Sequence, residues 1–260
     1  MRRMPLFLFI VSAFLHPCFA EFDWARLILR ESTNDQASAT GILKKELYDL
    51  QYDSQMRVGD FLRTHPNLET LIIEFLKHPK IDQHYLTDGT IEYGYQLPLI
   101  GGIIREILPA AQPIQLVVPM LCPTCDQPWP GDKRLPEGIT LIPRENEVSD
   151  FSGIIIDCRG FTLTPCLFPK ILNETLVDVY SSNFADPHNL ILRGLVAYYS
   201  DEMQAKSRIG ENPLLIKALG VTGEKPTDIK ISSVDAQRIH SSQNKLNLLR
   251  ECRVAIVFGQ

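Results

Sequence analysis

Six of the chain's 18 prolines, Pro119, Pro123, Pro128, Pro130, Pro136 and Pro143, fall between positions 119 and 150. Each fixes φ and removes a backbone N–H, so this stretch cannot carry a regular helix or a central strand. It reads as an irregular connector, and it divides the chain into residues 21–118 and 151–260. Each part has the size of a small domain and its own apolar periodicity. With 45% of 260 residues hydrophobic and 22% charged, there is apolar matter for a real core, and a disordered or collagenous chain is excluded.

The first twenty residues read as a cleavable export leader. Arg2 and Arg3 precede an apolar run from Leu6 to Leu15, and Cys18 and Ala20 put small residues before the expected cut. The run is too short to span a bilayer, and no other stretch has the roughly 20 apolar residues a membrane helix needs. A mature chain from about Glu21, periplasmic or secreted and with no transmembrane anchor after cleavage, is therefore expected. Losing Arg2 and Arg3 takes the formal charge from -5 to -7, which argues against nucleic acid as a partner. Cys18 also leaves, and five cysteines in an oxidising compartment leave at least one without an intramolecular partner.

In the first part Leu43, Leu47, Leu50, Val58 and Phe61 form one helical stripe, interrupted at Ser54 and stopped by His65-Pro66. Leu68, Leu71, Ile72, Phe75 and Leu76 predict a second, shorter helix with Asn67 as its cap. The period then changes to two. Ile91, Tyr93, Tyr95 and Leu97 alternate with polar residues or glycine, and Asp88-Gly89 suits a tight turn, so a hairpin is expected from about Ile81 to Leu97. A strand-like run, Ile114–Val118, follows. In the second part Ile154–Ile156, Leu167–Leu172, Leu190–Tyr198, Leu214–Leu219, Ile229–Ile231 and Val254–Phe258 read as short strands. One helix, capped by Ser232 or Ser233 and faced by Val234, Ile239, Leu246 and Leu249, interrupts them. The expected fold class is α+β: two small helix-on-sheet domains joined by a proline-rich connector.

The sharpest chemical motif is Cys122-Pro123-Thr124-Cys125. A two-residue spacer permits a redox disulfide or one half of a zinc knuckle. Pro128 and Pro130 speak against the helix start that would activate the first thiol, and only Cys158 and Cys166 stand near enough in sequence to complete a zinc set. A small disulfide stapling the connector outweighs both readings, and no metal or cofactor is expected. Asp157 and Arg159 flank Cys158 at the end of a strand, where acid–base residues often sit, but a local ion pair or turn cap accounts for them better. Asp186-Pro187-His188 reads as a turn, not as metal ligands, and Cys252 as a buried thiol. Hydrolase-elbow, zincin and phosphate-loop patterns are missing from the sequence, so no enzymatic activity is expected.

The order of Trp24, a short strand, a long helix ending near Phe61, then Tyr85-Leu86-Thr87-Asp88-Gly89-Thr90-Ile91-Glu92 and Gln96-Leu97-Pro98-Leu99 resembles the bacterial envelope lipoprotein family that includes flagellar basal-disc protein P. Flagellar assembly protein T carries a related module. Ser152-Gly153-Ile154-Ile155-Ile156-Asp157 with Arg159-Gly160, and Arg208-Ile209-Gly210 with Asn212-Pro213-Leu214, are similar to segments of uncharacterised exported bacterial proteins with the same two-part layout. The chain departs from that family in lacking a lipobox, in the polar stretch Glu31–Ala39 before its first helix, and in a helical pattern at Leu68–Leu76 where the family would place a strand. The resemblance implies a non-catalytic structural or assembly role, with envelope or flagellar proteins, or a second copy, as partners. Ile91, Tyr93 and Tyr95 are the candidate partner face, with core packing as their plainer alternative. A periplasmic thiol-disulfide or zinc protein centred on Cys122 and Cys125 is the competing expectation.

Overall fold

The computed structural model describes residues 21–33, 35–85, 87, 89–110, 120–124, 129, 133–143 and 151–259. The leader, Leu86, Asp88, Cys125 and the run Ile114–Val118 lie outside the described residues.

The first half runs β1 (Glu21–Asp23), β2 (Ile28–Thr33), α1 (Gln36–Asp49), α2 (Val58–Thr64), α3 (Pro66–Lys77), β3 (Lys80–Tyr85), β4 (Ile91–Pro98) and α4 (Ile103–Glu106). Its four-stranded antiparallel sheet has the order β1-β2-β4-β3. The hairpin is the one expected, with Gly89 at φ 85° between its strands. The expected long helix is two helices. Asp53 Oδ1 accepts from the backbone N–H groups of Gln55 and Met56, closing a turn at the Ser54 interruption. The shorter helix is present, and α3 stands where the resemblance implies a strand. It begins two residues earlier than the Asn67 cap allows, because Pro66 takes the first helical position, where its missing N–H costs nothing.

In the connector, β5 (Met120–Leu121) pairs antiparallel with β6 (Ile142–Pro143). The second half then runs β7 (Gly153–Asp157), β8 (Ile171–Leu172), β9 (Asp178–Tyr180), α5 (Pro187–Arg193), β10 (Ala197–Tyr199), α6 (Glu202–Ile209), β11 (Pro213–Lys217), β12 (Gly220–Thr222), β13 (Asp228–Lys230), α7 (Ser233–Ile239), α8 (Gln243–Arg250) and β14 (Val254–Val257). The single strand expected over Leu190–Tyr198 is α5 followed by β10. Asp186 caps the helix by accepting from Asn189 N at 3.0 Å, Pro187 opens it, and Gly194 at φ 71° ends it. The single helix expected over Val234–Leu249 is likewise two, capped separately by Ser232 and Ser242. Of Leu167–Leu172, only Ile171–Leu172 is strand.

One sheet of this half is wholly parallel, in the order β10-β14-β7-β11. Such a sheet is normally buried on both faces, which is why β7, β10 and β14 are apolar runs, whereas the edge strand β11 leaves Leu215 and Lys217 exposed. Ile154, Ile156, Val254 and Ile256 face the main core. Ile155, Ala255, Val257, Ala197 and Tyr199 face α6 through Ala205 and Ile209. A second sheet, β12-β13-β8-β9, mixes directions. The architecture is α+β.

The main core is continuous between the halves. Leu167 N and Phe168 N donate to Gln51 O and Tyr52 O, and Lys225 N donates to Ser54 O. Tyr52 stacks on Phe61 at 4.6 Å and meets Phe168 edge-on at 4.9 Å. Backbone groups that a continuous helix would have consumed thus pair with the second half. Leu27, at φ 55°, packs against Gly194 at a place where a Cβ would collide with its side chain.

Candidate functional site

The carboxyl ends of parallel strands are where open α/β sheets place ligands, and Asp157 is the last residue of β7. Its Oδ1 accepts from Arg159 N at 3.0 Å and Arg159 Nε at 2.8 Å, and its Oδ2 accepts from Nη2 at 2.8 Å. Arg159 Nη2 continues to Glu202 Oε1 at 2.9 Å, at the first residue of α6. Gly160, at φ 91°, turns the chain away beyond the pair. The guanidinium holds the Asp157 carboxyl below its ordinary pKa. An ionised aspartate with both oxygens engaged is a poor proton donor at neutral pH. The triad ties the exit of β7 to the start of α6.

The thiols divide by burial. Cys158 is buried and its pKa is pushed up to about 12 by desolvation, with the Asp157 charge adding to the effect. Burial raises Cys166 as well, and its backbone N–H and C=O both bond the Tyr198 hydroxyl, at 3.1 and 3.0 Å. Cys252 is buried and raised to about 11. Protonated, enclosed thiols are weak nucleophiles and weak metal ligands. Cys122 is half-buried, and its motif partner Cys125 lies outside the described residues. Among the described residues no group of three or more His, Cys, Asp or Glu is arranged to hold a metal ion. Asp186 is a helix cap, and His188 is exposed on α5.

Of the candidate partner face, Tyr95 is buried in the core, Tyr93 packs partly against it, and Ile91 is 36% exposed. In the β3–β4 register Ile81 lies opposite Tyr95, and Tyr85 opposite Ile91. Cross-strand neighbours share a sheet face, so the face that is core at Tyr95 continues onto β3. There Ile81 is 51% and Tyr85 77% exposed. β3 is also an edge strand, and all six of its residues are exposed. In the sequence Ile81 marks only the start of the hairpin and Tyr85 only the start of a motif, and neither belongs to the candidate partner face. The hairpin register was the signal that could have found them.

No curated protein matches the chain. Residues 153–260 match the family model described as Treponema pallidum Tp0624, second domain. The match begins at the first residue of β7 and takes in both sheets of the second half. It thus covers the parallel sheet, the Asp157–Arg159–Glu202 triad and the three buried thiols. Over that half the chain is similar to the second domain of a Treponema protein.

Proposed function

We propose that the protein is a non-catalytic exported envelope component with a structural or assembly role, and that it acts through protein contacts made by its first half. The observation that carries this reading is the uncovered margin of the antiparallel sheet. β3 leaves a full row of backbone donors and acceptors at the sheet edge, beside Ile81 and Tyr85. Long exposed edges invite pairing with another chain, and isolated proteins blunt them with charge, proline or bulges. Here Lys80 and Asp82 are the only formally charged residues of the strand. An added strand would gain main-chain hydrogen bonds along β3 and cover both apolar side chains. The leader-like first twenty residues support export, and the order of first-half motifs supports a flagellum-associated setting among the envelope roles.

Site-specific photocrosslinking in the native host tests this. A photoreactive residue at Tyr85 is expected to give one defined adduct, with an envelope protein or a second copy, in the exported fraction. The same residue at Leu215, exposed on the parallel sheet, is expected to give none. No adduct at Tyr85, or a native product found in the cytosol with its leader uncut, overturns the reading.

A further inference from the structure

A cleft of about 310 Å³ opens where β1 meets the carboxyl ends of β10 and β14. Its size is at the lower end of small-molecule sites, about 300 Å³ upward. Two kinds of wall meet in it. Phe22, Trp24, Tyr198 and Phe258 form the apolar side, each ring perpendicular to the next: 86° for Phe22 and Trp24, 78° for Trp24 and Tyr198, and 80° for Tyr198 and Phe258. Tyr198 N donates to Trp24 O at 3.3 Å, so the second half fixes the tryptophan's backbone.

The polar side is Glu21, Asp23, Arg30, Ser200 and Gln204, with Tyr199 beside them. Arg30 uses Nη2 on Asp23 Oδ2 at 3.0 Å, and Asp23 Oδ1 accepts from the backbone N–H groups of Ala25 and Arg26, so that aspartate belongs to the turn. Ser200 Oγ donates to Gln204 Oε1 at 3.3 Å, which leaves the glutamine amide nitrogen to donate outward. Glu21 is exposed.

These walls select a chemistry. With the leader cut before Glu21, as the proposed function has it, the carboxylates of Glu21 and Asp23 stand against the Arg30 guanidinium and the new α-ammonium, so the charges balance and neither a phosphate nor an ammonium is favoured. Hydroxyl groups both donate and accept, so they suit a wall of carboxylate, guanidinium and amide together. The perpendicular rings provide no parallel-walled slot for a planar base, but they suit the C–H faces of a puckered ring. We propose that this cleft binds one or two residues of an uncharged saccharide, its C–H face on the aromatic rings and its hydroxyls on Glu21, Arg30 and Gln204.

Trp24 reports on the cleft directly, since Trp129 is the only other tryptophan. The leader-free chain from Glu21 carrying Trp129→Phe would be titrated with two uncharged trisaccharides, one of N-acetylglucosamine and one of glucose, and with adenosine and inorganic phosphate. At least one trisaccharide is expected to give a saturable shift of the emission. Gln204→Ala, at an exposed position, is expected to weaken that binding about tenfold with the thermal midpoint unchanged. Retention on the matching insoluble polymer marks a polymer strand as the source, and trimer binding without retention marks a free oligosaccharide. No saturation by either trisaccharide at millimolar concentration, an equal response to adenosine or phosphate, or undiminished binding in Gln204→Ala overturns the proposal.

Discussion

Asp178 sits in surroundings that do not suit its charge. Its Oδ2 accepts from Ser181 Oγ at 2.6 Å, while Oδ1 is buried without a hydrogen-bond partner. Burial raises its pKa above the ordinary aspartate value, and the neighbouring Asp228 charge adds to that, against smaller opposing effects of Ser181, Lys170 and His240. A carboxyl whose pKa rises on folding binds more protons in the folded state. Stability is therefore full below the unfolded value, near 3.9, and is lost as pH rises through the folded one. Asp178→Asn is expected to raise stability by about 1 kcal/mol at pH 7 to 8, after allowing for partial solvent screening, and by nothing measurable below about pH 4. Thermal melts of both proteins across that range check it. His240 works in the opposite direction. Its ring nitrogen Nε2 lies 2.8 Å from Val179 O, and burial lowers its pKa, so its contribution is lost as pH falls below the ordinary imidazole value, about 6.5. The Asp157–Arg159 pair was legible because its members are two residues apart. Glu202 was not, because nothing local marks a partner 43 positions away.

At the scale of elements, Arg208 of α6 holds the turn between α5 and β10. Its Nε donates to Val254 O at 2.9 Å, Nη1 to Arg193 O at 2.6 Å, and Nη2 to Gly194 O at 2.8 Å and Leu195 O at 3.3 Å. One guanidinium thus satisfies carbonyls of a helix end, a turn and the central strand β14. Arg208→Lys keeps the charge but not the planar fork, so it is expected to be destabilised by about 2 to 3 kcal/mol in urea unfolding, close to the loss in Arg208→Ala. The following residues explain two glycines. A Cβ on Gly153 would stand 2.5 Å from Ile209 Cβ, and one on Gly210, at φ 80°, would stand 2.6 Å from Ser152 Cβ. Ser152 and Asn212 close the contact, with Ser152 N donating to Asn212 O at 2.8 Å and Asn212 N to Ser152 Oγ at 3.0 Å. The two motif segments picked out in the sequence of the second half are therefore halves of one packing contact. The hairpin and α3 were legible because their periodicities are local. α5 was misread because Leu190-Ile191-Leu192 has a strand's composition, although Asp186-Pro187 was a visible helix start. The break between α1 and α2 was marked only by the turn chemistry of Asp53 and Ser54.

For the whole molecule, the proline-rich stretch was readable and the joint core was not, because its partners are far apart in sequence and no periodicity reports them. Leu27 and Gly194 test how firmly the halves are joined. Leu27→Ala is expected to cost about 2 to 4 kcal/mol by leaving a cavity, and Gly194→Ala to be costly through both its positive φ and the collision with Leu27. The double variant is expected to lose less than the two single losses added, by 0.5 kcal/mol or more, since removing Leu27 clears space for the new methyl group. Denaturant titrations of the four proteins measure the coupling. The parallel order of β10, β14, β7 and β11 was equally hidden, since short runs buried on both faces do not disclose their neighbours. That order has a consequence for biosynthesis. β14 occupies the slot between β10 and β7, yet Val254 lies 101 positions after Gly153. A growing polypeptide that has completed β7, β10 and β11 still has a gap in the middle of its sheet, with apolar strand margins open to aggregation and proteases until β14 emerges.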